Sequence, residues 1–131
     1  MLAVSLGGVK CAITAGNGLK CWGTNVYGRV GDGTTTERSV PTDVNGLSNG
    51  VVFISVGAAG AVCAVINSGA VKCWERNVYG AVDDGSTNNA LAPVSVVGLD
   101  SGVTKLASGN WFHCALTLGG AVRCWGNNRF G

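Results

Sequence analysis

The chain has 131 residues, 47% of them hydrophobic, 12% charged and 22 of them glycine, with a formal net charge of +2. Its basic residues are scattered singly, which argues against a nucleic-acid groove or an anionic membrane surface as partner, and no apolar run approaches the roughly 20 residues of a membrane-spanning helix. A charged fraction about half the ~25% usual in soluble domains implies that much of the surface is covered by something.

Leu2 to Leu6 is a short apolar strand. The segment from Met1 has neither a basic start nor a cleavage pattern, so no secretory leader is expected in it. Cys11 to Cys21 carries a glycine-rich turn at its midpoint, Gly16-Asn17-Gly18, and is a β-hairpin. Trp22 follows, then Asn25, Tyr27 and Gly28, and a Gly-, Asp- and Thr-rich loop over 29–39. Pro41 to Val44 is a strand whose proline lacks an amide donor, which suits a sheet edge. The order then restarts with strand Val51 to Val56, hairpin Cys63 to Cys73 turning at Ser68-Gly69, Trp74, Asn77, Tyr79 and Gly80, loop 81–91, and strand Pro93 to Val96. It starts a third time with Val103 to Ser108, hairpin Cys114 to Cys124 turning at Gly119-Gly120, and Trp125, Asn128, Phe130 and Gly131.

The Cys-Trp pairs at 21, 73 and 124 lie 52 and 51 residues apart, so the chain is one unit written nearly three times. No stretch has helical periodicity with caps. Four short antiparallel strands per unit of this length predict an all-β chain of β-propeller blades, each sheet burying its faces against its neighbours. The repeat phase divides the single array into 1–28, a partial first blade, 29–80 and 81–131. Three full periods would take about 156 residues, so about two and a half repeats are present and the ring is incomplete in one chain. Glu75-Arg76 stand where the other copies have Gly23-Thr24 and Gly126-Asn127, and Asp83 replaces Gly31, so the middle loop is expected to follow a different path.

The stretch Cys-Ala-Leu-Thr-Leu-Gly-Gly-Ala-Val-Arg-Cys-Trp-Gly-Asn-Asn-Arg-Phe-Gly at 114–131, with Gly31-Asp32-Gly33 after the first copy, resembles the regulator of chromosome condensation repeat, and the resemblance spans the chain. It implies blades of about fifty residues, typically seven in a closed ring, with protein-binding faces like those of a small-GTPase exchange factor or a secreted β-lactamase inhibitor.

Within each hairpin the two cysteines are equidistant from the turn and face each other across neighbouring strands, a separation a disulfide accepts. The expected pairs are Cys11 with Cys21, Cys63 with Cys73 and Cys114 with Cys124. Such bridges imply an oxidising compartment, hence a secreted or cell-surface protein. Free cysteines acting as small core residues are the alternative. The spacing and the single histidine offer no zinc site, and no cofactor motif is present.

No enzyme is expected. His113 and Cys114 are adjacent on a strand and point to opposite faces. Asp83-Asp84 are better turn formers than cation ligands. Trp22, Trp74, Trp125, Tyr27, Tyr79 and Phe130 recur once per unit and are expected to pack between sheets or clamp loops. Trp111 has no counterpart in the other copies and is the candidate contact residue. The favoured function is a non-catalytic, exported, self-assembling module, a homo-oligomeric ring or filament held by protein contacts. The alternatives are a recognition propeller resembling an exchange factor or enzyme inhibitor, and adhesion or carbohydrate binding through loops 29–39 and 81–91.

Overall fold

A computed structural model describes residues 3–58 and 61–129. Eleven strands form three antiparallel sheets, and no helix occurs among the described residues. The first sheet has the order β1 (Ala3–Leu6), β2 (Val9–Ile13), β3 (Leu19–Gly23), β4 (Arg38–Asp43). The second repeats it with β5 (Val51–Val56), β6 (Val62–Ile66), β7 (Val71–Glu75) and β8 (Ala90–Ser95). The third has β9 (Val103–Ser108), β10 (Phe112–Thr117) and β11 (Val122–Gly126), with no fourth strand among the described residues.

The sheets are therefore phased differently from the repeat partition at 28 and 80. After loop 29–39 the chain returns to its own sheet, so the first blade is four-stranded rather than partial. Sequence periodicity sets the repeat length but not where a sheet begins, because the return strand is chosen by edge pairing. Each return strand pairs irregularly: β4 skips from Thr42 opposite Cys21 to Arg38 opposite Gly23, and β8 from Val94 opposite Cys73 to Ala90 opposite Glu75. Pro41 and Pro93 fall inside these gaps, on edge strands where a missing amide breaks no ladder.

Strands β1, β5 and β9 lie side by side at the inner end of the sheets. The core runs between sheets rather than within one: Val9, Leu19, Val30, Ile54, Val62, Trp74, Val82 and Leu106 belong to one buried cluster. The middle sheet is sealed on both faces, with four of the five residues of β6 and of β7 buried, whereas in β11 only Trp125 is. That contrast follows from stacking, since only the middle sheet has a neighbour on each side.

Candidate functional site

Two features stand out: the junctions between sheets, and the loop end where the β3–β4, β7–β8 and β9–β10 connections meet.

The junctions follow a rule. Trp74 is fully buried, and its Nε1–H donates to the Arg29 carbonyl in the preceding blade's loop at 3.0 Å. Trp125 donates likewise to the Ala81 carbonyl at 3.0 Å. Trp22, the equivalent in the first sheet, is half-buried and has no such acceptor among the described residues. Gly31 shows how tight the junction is, since a Cβ there would stand 2.8 Å from Trp74 Nε1 and 2.9 Å from Val44 Cγ1.

The loops are held by their own polar groups. Asn25, buried, donates to the Thr34 and Thr36 carbonyls at 3.0 and 2.9 Å and accepts from the Val30 amide at 2.9 Å. Asn77 repeats this with the Ser86 carbonyl at 3.0 Å and the Val82 amide at 2.8 Å. Asp32 accepts from the amide and hydroxyl of Thr34, as Asp84 does from Ser86. Burial pushes the Asp32 carboxyl up, but the hydrogen bonds from Thr34 and Arg38 and the charge of Arg38 outweigh it and hold its pKa below the usual value. Because the repeat's Asn and Asp perform the same task twice, the middle loop follows the same path as the first, contrary to the expectation from its altered residues.

Those altered residues keep the glycine backbone while adding charge. Glu75 has φ 100°, beside 114° at Gly23 and 105° at Gly126, and Asp83 has φ 52°, where Gly31 has 79°. Non-glycine residues rarely hold such angles, and strain of this kind persists only where surrounding contacts impose it. Both carboxylates pair with an arginine of an adjoining sheet: Glu75 Oε1 with Arg29 Nη2 at 2.6 Å, and Asp83 Oδ2 with Arg123 Nη2 at 3.0 Å. Arg29 Nη1 also donates to the Gly7 carbonyl. Glu75 is fully buried and its Oε2 has no hydrogen-bond partner among the described residues. Desolvation raises its pKa against the opposing pull of Arg29 and Arg76. Asp83 and Asp84 thus serve different partners and do not converge on a cation.

His113 is buried against Trp125, ring centroids 5.8 Å apart. Its Nδ1 is 2.6 Å from Ser108 Oγ, which is 2.6 Å from Ser55 Oγ on the neighbouring sheet. Burial lowers its pKa to about 4, so it is neutral at pH 7. It joins sheets, and Cys114 beside it is engaged elsewhere.

The three cysteine pairs face each other in register at disulfide distance, with Cα separations of 4.1, 4.1 and 4.0 Å. The first two are buried. Cys114 is half-buried and Cys124 exposed, because the third sheet's outer face is open. A cleft of about 730 Å³ lies on that face, lined among others by Tyr79, Trp111, Phe112, Cys124, Trp125 and Arg129.

At the loop end, Trp111 meets the edge of Tyr79, centroids 5.3 Å apart at 75°. The Arg76 guanidinium lies 4.8 Å from the Tyr27 ring and 5.1 Å from that of Trp111. Three sheets thus contribute to one aromatic and cationic cluster. Tyr27 is half-buried and Tyr79 is 52% exposed, so neither ring is sealed between sheets as Trp74 is. Phe130 lies outside the described residues. Arg29 and Arg76 were not singled out from the sequence as site residues; the break in the repeat at Glu75-Arg76 was the signal that pointed to them.

Residues 21–64 and 103–131 match the family described as the regulator of chromosome condensation (RCC1) repeat. The human E3 ubiquitin-protein ligase HERC2 is 35% identical over 128 residues, covering 93% of this chain and 3% of that protein. The ultraviolet-B receptor UVR8 of Arabidopsis thaliana is 34% identical over 112 residues, covering 84% of this chain and 25% of that one. Among solved structures, Prp20p of Saccharomyces cerevisiae superimposes with a TM-score of 0.82 at 18% identity, covering 95% of this chain and 32% of that one. Human WBSCR16 gives 0.81 at 23%, covering 96% and 32%. The chain thus spans a third or less of each of these proteins. With three tandem sheets of this topology and matched segments that fall in all three of them, the chain belongs to the regulator of chromosome condensation repeat family.

Proposed function

We propose that the chain is a non-catalytic, exported array of propeller blades that works through protein contacts, stacking head to tail with further blades into a ring or filament. The observation that carries this is the junction rule. Each internal junction buries a tryptophan and satisfies its indole N–H on the preceding blade, while Trp22 is half-buried without such an acceptor among the described residues and the outer face of the third sheet carries an open cleft beside Cys124. Open apolar faces of this kind mark interaction sites, and head-to-tail contacts close or continue according to their rotation. In a preparation of these 131 residues alone, the neighbours on offer are further copies. Export is supported by three cysteine pairs at disulfide distance, which persist in oxidising compartments.

Recognition of other proteins is the second reading, favoured by the loop-end cluster. Prp20p binds Gsp1p and histones. Adhesion through loops 29–39 and 81–91 is weakened by the internal use of their Asn and Asp groups.

Size-exclusion chromatography with light scattering on the oxidised chain, over a dilution series, tests the stacking. Species larger than one chain, shifted toward monomer by Trp22→Ala, are expected; a monodisperse monomer at every concentration would overturn it.

A further inference from the structure

We propose that Arg76, with Tyr27, Trp111 and Tyr79 around it, is a receptor for the side-chain carboxylate of an acidic segment in a partner protein. This deepens the recognition reading and is independent of stacking between chains, since every group belongs to one chain.

The argument starts from charge accounting at the loop end. Arg29 has Glu75, Arg38 has Asp32 and Arg123 has Asp83. The Arg76 guanidinium makes no hydrogen bond or ion pair with a side chain of the described residues; its contacts are the two ring faces. The nearby carboxylate, Glu75, is buried and turned onto Arg29; it meets the Arg76 backbone amide and attracts the guanidinium without pairing with it. Of the loop carboxylates, Asp32, Asp83 and Asp84 are engaged with Arg38, Arg123 and Ser86, and Glu37 forms no ion pair with Arg76 among the described residues.

A half-buried guanidinium is therefore held by aromatic faces with its donors unclaimed. Stacking uses the flat faces of the group, while its N–H donors lie in the plane, so both can be used at once, and the planar fork matches a carboxylate bidentately. Holding the side chain in advance also lowers the ordering cost of binding. Val26 and Val78, which precede Tyr27 and Tyr79 in the chain, are 69% and 45% exposed and Tyr79 is 52% exposed, so the cluster's loops present open apolar surface. One unpaired cation within such a surface selects an aspartate or glutamate flanked by apolar residues.

The site exists only when the sheets are stacked, because Tyr27, Arg76 and Trp111 come from three different ones. It occurs once, because Arg76 replaces Thr24 and Asn127 of the other copies.

The test titrates the oxidised chain at low salt with fluorescein-labelled acetyl-Leu-Glu-Leu-Glu-Leu-amide and with its Gln counterpart, followed by anisotropy. The glutamate peptide should bind at least tenfold more tightly than the glutamine one. Arg76→Gln should abolish the difference, Arg76→Lys should keep part of it, and Lys105→Gln, in β9, should leave it unchanged. Thermal melts of each variant show that the fold is retained. Equal binding of the two peptides, binding of neither, or a glutamate preference that survives in Arg76→Gln would overturn the proposal. Equal binding that Trp111→Ala weakens would leave the protein-recognition reading standing while removing its acidic chemistry.

Discussion

Arg29→Met should be among the most damaging single changes in the chain, and Glu75→Gly, at the other end of the same ion pair, among the mildest. Arg29 reaches Glu75 Oε1 through Nε at 2.8 Å and Nη2 at 2.6 Å, and the carboxylate is fully buried with its second oxygen unpartnered among the described residues. Removing the cation strands a buried charge, which costs about 3–5 kcal/mol. Burial already raises this carboxyl's pKa, so in the variant it is expected to take up a proton, which holds the loss near the low end. Glu75→Gly loses the same pair but restores the residue that Gly23 and Gly126 place at φ 114° and 105°. Relief of a strained φ is worth about 1–3 kcal/mol. Arg29 keeps the Gly7 carbonyl and is 15% exposed, so its charge is not stranded. The net change should be within about 1 kcal/mol of the parent, and adding Glu75→Gly to Arg29→Met should recover at least ~2 kcal/mol. Urea unfolding of the four oxidised proteins at pH 7 measures all of this. If Arg29→Met costs under ~1 kcal/mol, or Glu75→Gly costs as much as Arg29→Met, the reasoning fails.

His113, whose pKa is lowered from 6.5 to about 4, is neutral when folded, and the unfolded chain takes up its proton first as pH falls. Its contribution is therefore present above pH 6.5 and lost between 6.5 and about 4, by about 3 kcal/mol in all. Urea midpoints of the parent should fall over that window relative to His113→Val, which carries the residue found at Val62 in the middle copy; parallel profiles would contradict the assignment. Asn25→Ala should cost about 2–3 kcal/mol and open loop 29–39 to protease, because Asn25 is 1% exposed and organises the loop from both ends of its amide. Under graded reduction followed by alkylation and mass spectrometry, Cys114 and Cys124 should label before the other four cysteines, which are no more than 1% exposed. Simultaneous labelling would show that exposure does not govern access.

The fold was legible because its signals are periodic. The Cys-Trp spacing, the central hairpins and the prolines each report a local backbone requirement, and the cross-strand placing of Cys11 opposite Cys21 follows from counting outward from one turn. Blade boundaries were less legible, because the pairing of β4 with β3 closes across loop 29–39 and leaves no local mark. Glu75 and Asp83 break the sequence pattern of the other copies without changing the path of the middle loop. The retained Asn77 and Asp84 carry the hydrogen bonds that shape it, and they override the φ preference of the two replaced glycines. The loop-end cluster depends on the meeting of three sheets, so Trp111 could be singled out for lacking counterparts but not joined to Arg76 and Tyr27. The Ser55, Ser108 and His113 chain was hidden for the same reason, being assembled from three strands of two sheets, with Ser55 and Ser108 53 residues apart.

Electron microscopy of the purified, oxidised chain tests the central claim most directly. The account predicts closed rings or continuing filaments in which each three-sheet unit meets the next through the Trp22 face and the cleft beside Cys124. Isolated three-sheet wedges at concentrations where the protein is fully folded would contradict it.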